Sequence, residues 1–257
     1  MSAGKCVRLS RLDLDTPGIY VQGLVTYNGD GSIRNQFTLD TATVRKVITF
    51  TEDRGFSLIA YSGASMFVRS RNHDTDLVID YGEPEPQIVG TLQNLLHNTS
   101  INKVMAIKRG DVKGVKALRW QLETQLDGAA RLMQAGVPEM LEVLPRGGSK
   151  GTALKTLLRE LKIDPQDVLA IGDGENDIEM ITQAGIGIAV GNADQEVKDA
   201  ADHVVASNDE DGVAEAIERF VLKKTPAAET PAAPAEKEGT TGTTPEEKTE
   251  SMNEAEA

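Results

Sequence analysis

The sequence predicts an α/β protein with a doubly wound, parallel, Rossmann-like core, an α+β domain ahead of it and a disordered carboxyl tail. Three observations carry this. After Pro145, helical periodicities alternate with short apolar runs, the pattern of a parallel doubly wound sheet. Between residues 19 and 140, strand candidates and two hairpin turns mix with helices without a βαβ repeat, which suits helices on an antiparallel sheet. From Thr225 the chain is dominated by Pro, Ala, Thr and Glu, with no Leu, Ile, Val or aromatic residue. Such a segment buries too little apolar surface to offset chain entropy.

Taken in order, residues 1–18 are basic and poorly patterned. Ile19 to Tyr27 and Ser32 to Leu39 read as paired strands, because Asn28-Gly-Asp-Gly31 between them is a strong hairpin turn. Asp40 or Thr41 can cap a helix that carries Val44, Val47 and Ile48 on one face and stops at Arg54-Gly55. Phe56 to Tyr61 and Met66 to Arg69 are further strands. Tyr81-Gly-Glu-Pro-Glu-Pro86 breaks the pattern, and a helix is expected over Ile88 to Leu96. Asn102 to Lys108 reads as a strand. Asp111 opens a helix to about Leu126, with Val115, Leu118, Leu122 and Leu126 near one stripe. Ala130 to Gln134 and Met140 to Leu144 form a second hairpin around Gly136-Val-Pro-Glu139. Then follow a helix over Lys150 to Lys162 with Leu154, Leu157, Leu158 and Leu161 on one face, and strands at Val168 to Ile171, Ile186 to Val190 and His203 to Ala206. Helices are expected near Gln195 to Ala201 and from Asp211 to Leu222. The resulting domains are a remnant at 1–18, an α+β domain at 19–140, a core at 141–224 and an acidic tail at 225–257.

The chain is organised around Val168-Leu-Ala-Ile-Gly-Asp-Gly-Glu-Asn-Asp-Ile-Glu-Met180. Four apolar residues suit a buried parallel strand. Gly172 ends it, and Asp173, Glu175 and Asp177 crowd carboxylates into one turn. Asn176 and Asp177 are good caps for the helix that Ile178 and Ile181 begin. Acids thus sit at the carboxyl end of a strand, where open α/β sheets place ligand sites. Carboxylates this close repel unless a cation or water separates them, and Mg²⁺, held by one or two carboxylates and its own waters, relieves that repulsion.

Composition excludes other classes. A net charge of −13 opposes binding of nucleic acid or anionic membrane through a general positive field. Cys6 is the only cysteine, which rules out an intrachain disulfide and a thiolate zinc cage. His73, His97 and His203 show no ligand spacing. No apolar run reaches transmembrane length, and the first residues lack the apolar core of a signal peptide. A cytoplasmic location is the expectation, organellar if a targeting segment precedes this chain.

Three stretches resemble the carboxyl half of haloacid dehalogenase superfamily phosphatases of the Cof-like branch: Leu144-Pro-Arg-Gly-Gly-Ser-Lys-Gly-Thr-Ala-Leu154, Ile171-Gly-Asp-Gly-Glu-Asn-Asp-Ile-Glu-Met180, and Ile188-Ala-Val-Gly-Asn-Ala193 leading to Ser207-Asn-Asp-Glu-Asp-Gly-Val213. Residues 19–140 resemble that branch's α+β cap, so the core at 141–224 is a partial one. The resemblance implies a Mg²⁺-dependent phosphatase of small phosphorylated metabolites, acting through an aspartyl-phosphate. Asp173 matches the acid that coordinates Mg²⁺, and Asp177 the second acid that supports the metal. Asn176 matches the amide near substrate. Lys150 matches the lysine that neutralises the phosphate and the attacking carboxylate. These roles make physical sense, since a transferring phosphoryl group spreads negative charge that cations and a helix N-terminus stabilise.

The family's nucleophile is an aspartate in an Asp-x-Asp-Gly-Thr motif on a strand ahead of the cap. Leu12-Asp13-Leu14-Asp15-Thr16 has the Asp-x-Asp spacing. Asp13 is nevertheless a weak candidate: Arg8, Ser10 and Arg11 are too polar for a central strand, and Pro17 stands where a Gly-Thr flap begins. The expectation is an amino-terminally truncated phosphatase that lacks its nucleophile as written. The alternative is a non-catalytic protein that binds a ligand or partner. Substrate identity and oligomeric state are not readable from the sequence.

Overall fold

A computed structural model describes residues 16–134 and 137–223 of the chain. The expectations for Asp13 and the rest of 1–15, and for the tail from 225, lie outside the described residues. The strands in chain order are β1 (Gly18–Tyr20), β2 (Val25–Tyr27), β3 (Ile33–Gln36), β4 (Ser57–Ser62), β5 (Ser65–Val68), β6 (Gln87–Ile88), β7 (Lys103–Ile107), β8 (Ala130–Gln134), β9 (Met140–Pro145), β10 (Leu169–Gly172), β11 (Ile186–Ala189) and β12 (His203–Val204). The α-helices are α1 (Thr41–Glu52), α2 (Leu77–Asp80), α3 (Val112–Leu126), α4 (Lys150–Leu161), α5 (Ile178–Gln183), α6 (Gln195–Ala200) and α7 (Gly212–Ala216).

The strands form three sheets, ordered β1-β2-β3, β6-β5-β4-β7-β9-β8 and β10-β11-β12. The third is wholly parallel, the expected doubly wound core. The second is antiparallel except where β5 meets β6. The period of two in its strands divides its side chains between two faces. Leu58, Ala60, Val104, Ala106, Leu141 and Val143 pack against Val44, Val47 and Ile48 of α1 and Val115, Leu118 and Leu122 of α3. Ile59, Tyr61, Met66, Met105, Ile107 and Met140 cover the opposite face with Leu77 and Val78 of α2. The apolar stripes read for α1 and α3 are buried as the spacing requires.

Several boundaries differ from the sequence reading. The helix expected over Ile88 to Leu96 is a 3₁₀ segment at Leu92–His97. Residues 87–88 instead pair in parallel with β5, and Gly90 at φ +69° separates the two pieces. The expected helix from Asp211 to Leu222 is α-helical only over α7 and continues as a π-turn at Ile217–Val221. Leu161 was placed on the buried face of α4 but is exposed, because the helix ends there with Lys162 in the left-handed region.

The first hairpin also packs differently. It forms its own sheet, and Arg34 and Asn35 of β3 bind Glu160 of α4 at 2.6 and 2.9 Å. Gly23, at φ +88°, lies so close to α4 that a Cβ would fall 2.2 Å from the Ser149 carbonyl oxygen. Helix α4 therefore joins the first sheet to the parallel one. Strand β9, expected to begin the core, belongs to the six-stranded sheet over its whole length. No helix among the described residues is long and apolar enough to cross a membrane.

Candidate active site

Strand β10 pairs in parallel with β11, Gly172 opposite Ala189, and delivers the loop that follows to the carboxyl edge of the sheet. Gly172 is required there: a Cβ would stand 2.4 Å from Cβ of Asp177. The chain turns through a 3₁₀ segment at Glu175–Asp177 into α5. The Asp177 side chain does not cap α5 as the sequence suggested. It points back into the loop, where its Oδ2 accepts from the backbone N–H of Asp173 at 3.3 Å and of Gly174 at 3.2 Å.

Asp177 is only 3% exposed, and its Oδ1 accepts from Nζ of Lys150 at 2.6 Å. Lys150 is the first residue of α4, whose N-cap Ser149 accepts from the Thr152 N–H at 2.9 Å. Ser149 also donates to Glu179 of α5. The positive end of a three-turn helix and a lysine cation thus face the acid loop together. Asp173 and Glu175 are exposed. Asn176 donates from Nδ2 to Oε1 of Gln22 at 3.3 Å. Of the residues singled out in the sequence, Lys150, Asp173, Asn176 and Asp177 are brought together, and Asp13 lies outside the described residues.

The arrangement offers one buried carboxylate, one open carboxylate, a lysine, an amide and a helix N-terminus. Among the described residues no group of three His, Cys, Asp or Glu side chains is placed to hold a metal ion. Two carboxylates nonetheless suffice for Mg²⁺, which keeps several of its waters.

Sequence reasoning missed Gln22, Lys103 and Glu142. Gln22 donates from Nε2 to Oε2 of Glu142 at 2.8 Å, and Glu142 pairs through Oε1 with Nζ of Lys103 at 2.5 Å. The signal was present. Lys103 and Glu142 interrupt the apolar runs of β7 and β9, and charged residues are almost never fully buried unless paired.

The family model for haloacid dehalogenase-like hydrolases matches residues 6–217. The chain is 34% identical over 208 residues to a protein of Arabidopsis thaliana named Endoribonuclease YBEY, chloroplastic; the match covers 80% of this chain and 35% of that one. It is 25% identical over 229 residues to Phosphatase YwpJ of Bacillus subtilis, covering 79% of each. A solved haloacid dehalogenase-like hydrolase from Bacteroides thetaiotaomicron superposes with a TM-score of 0.68 at 29% identity, over 76% of this chain and 73% of that one. The chain spans about a third of the length of several curated relatives it matches, the Arabidopsis protein included.

Proposed function

Because this chain belongs to the haloacid dehalogenase-like hydrolases, we propose that its acid loop is the site of a Mg²⁺-dependent phosphomonoesterase acting on a small phosphorylated metabolite. The observation that carries the reading is the meeting of Lys150, Asn176, Asp173 and Asp177 at the carboxyl end of β10. A binding module has little use for that whole set.

Asp173, with its exposed carboxylate, would hold the metal, and Asp177 would support it by fixing the loop. When bound, Mg²⁺ supplies positive charge against the phosphoryl oxygens. Lys150 holds the opposite side of the phosphoryl group, its ammonium aimed by Asp177. Asn176 keeps one amide hydrogen for a phosphoryl oxygen while giving the other to Gln22. The six-stranded sheet with α1 and α3 corresponds to the family's cap, which would close over the site and exclude water once substrate is bound. These groups position charge; none of them is a nucleophile, and that role falls to an aspartate outside the described residues, with Asp13 the weak candidate. We propose a cytoplasmic location, or a plastid one by likeness to the chloroplastic Arabidopsis relative.

One observation favours a second reading, a non-catalytic protein that binds phosphorylated ligands. Strand β10 is the edge of its sheet among the described residues, and no strand carrying an aspartate lies beside it. The test is release of phosphate from an aryl phosphate by the purified chain with Mg²⁺, alongside binding of inorganic phosphate. Release that disappears in Lys150→Met supports the enzyme, and its survival in Asp13→Asn removes Asp13 as nucleophile. Phosphate binding without any release supports the second reading. Neither binding nor release overturns both.

A further inference from the structure

The cap's inner face carries a charged pair that the proposed mechanism leaves unused. Tyr61 and Lys103 stand opposite each other on β4 and β7, and Glu142 on the neighbouring β9 lies diagonal to Lys103 across the same face. Lys103 is 6% exposed and Glu142 1%. The Lys103 ammonium sits 4.4 Å from the centre of the Tyr61 ring. Burial, with the nearby charges of Glu83 and Glu142, pushes the Tyr61 phenol upward. Replacing such a pair with apolar residues is often neutral for stability, so stability is a weak reason for its presence.

Among the described residues the pair also binds Gln22 through Glu142. Val21, Gln22 and Gly23 form a consecutive run in the left-handed region, with φ of 51°, 60° and 88°. Such a conformation is strained at each non-glycine residue and persists only where the surroundings dictate it. The run places the Gln22 amide between Glu142 of the cap and Asn176 of the acid loop.

The polarity of the chain of bonds has one direction. A carboxylate paired with lysine offers only acceptors, so the Gln22 NH₂ must face Glu142 and its carbonyl must face Asn176. That carbonyl in turn obliges Asn176 to present its NH₂. The Asn176 Oδ1 is held on the other side, 2.8 Å from where a Cβ of Gly174 would lie. Without the cap's carboxylate nothing in this row distinguishes one flip of either amide from the other.

We propose that Gln22 is a positioning residue that links the buried Lys103–Glu142 pair of the cap to Asn176, so that seating the cap on the core fixes the Asn176 amide with one hydrogen on Gln22 and the other free for the phosphoryl group. The role of Asn176 rests on the function proposed above; the coupling itself does not. Binding at the loop and seating of the cap are then reciprocal, as any coupling between two sites must be.

The test is a double-mutant cycle on the full chain with two readouts: the side-chain amide signals of Asn176 by ¹⁵N NMR, and affinity for inorganic phosphate in the presence of Mg²⁺. Glu142→Gln keeps the shape but can present either an oxygen or an NH₂ to Gln22. Gln22→Gly removes the amide and eases the positive φ, and Gln22→Met keeps the length without polar atoms should the glycine variant fail to fold. Glu142→Gln is expected to move the Asn176 amide signals, although Glu142 does not touch Asn176, and that displacement should vanish in a Gln22→Gly or Gln22→Met background. Phosphate affinity should fall about 5-fold or more in each single variant and no further in the double. Unchanged Asn176 signals in Glu142→Gln, or losses that multiply in the double variant, overturn the inference. Wild-type chain that neither binds nor releases phosphate overturns the proposed function, and the NMR cycle then decides the coupling by itself.

Discussion

At the scale of single residues, Asp177 and Asp173 differ in how far their oxygens are already engaged, which bears on the separate roles the family resemblance implies for them. Asp177 is buried with both oxygens engaged, by Lys150 on one side and two backbone N–H groups on the other. Asp173 is exposed. Asp177→Asn keeps the shape and one acceptor but removes the charge that offsets Lys150. Loss of such a supporting group should weaken Mg²⁺ binding about 10-fold or more, read by calorimetry. Lys150→Met removes a cation that competes for the same carboxylate, so it should leave Mg²⁺ affinity unchanged or raised while weakening phosphate. Equal losses of Mg²⁺ in both variants would sink this division of roles. The four clustered residues were legible because they lie in two short stretches whose chemistry is local. Gln22 was not, because its partner Glu142 is 120 positions away and only folding brings the two together.

Elements were legible where periodicity and caps agree. Helix α1 has its apolar stripe, and Asp40 accepts from the Thr43 N–H at 2.9 Å. Hydrogen bonds from Thr43, its side chain first and then its backbone, hold the Asp40 carboxyl below the ordinary value of 3.8. A depressed carboxylate contributes stability above its unfolded pKa and loses it as pH falls through the folded one. Asp40→Ala should therefore cost about 1 kcal/mol near neutral pH. The gap in denaturation midpoint between wild type and variant should close as pH drops below 3.8. Asp40→Asn, which keeps the cap but cannot titrate, should show little loss at neutral pH; a loss as large as that of the alanine variant would mean that charge and not capping matters. Periodicity failed where tertiary pairing overrode it. Ile88 was counted into a helix, but its backbone completes an edge of the cap sheet, and the glycine that divides it from Leu92 was not weighed.

At the scale of the whole molecule the two halves are unequally built. One half, the proposed cap, is a six-stranded sheet covered on both faces by apolar clusters. Among the described residues the parallel sheet has three strands of four, four and two residues, and Leu169 and Ile171 on its outer strand are only half-buried. Local opening follows such differences, because strands with fewer buried contacts and a free edge open at lower free energy. Native-state hydrogen exchange should therefore protect the amides of β4, β7 and β9 most, and those of β10 least among the sheet interiors. The acid loop hangs from β10, so Mg²⁺ bound there as proposed would act on this weaker half. A ligand at 100 times its Kd stabilises the state that binds it by about 2.7 kcal/mol. That gain should appear as slower exchange across residues 169–190, with β4, β7 and β9 unchanged if cap and core open separately. An equal gain in all of them would show that the halves open as one unit, which would leave the α4 bridge and the Gln22 link strong enough to carry metal binding into the cap.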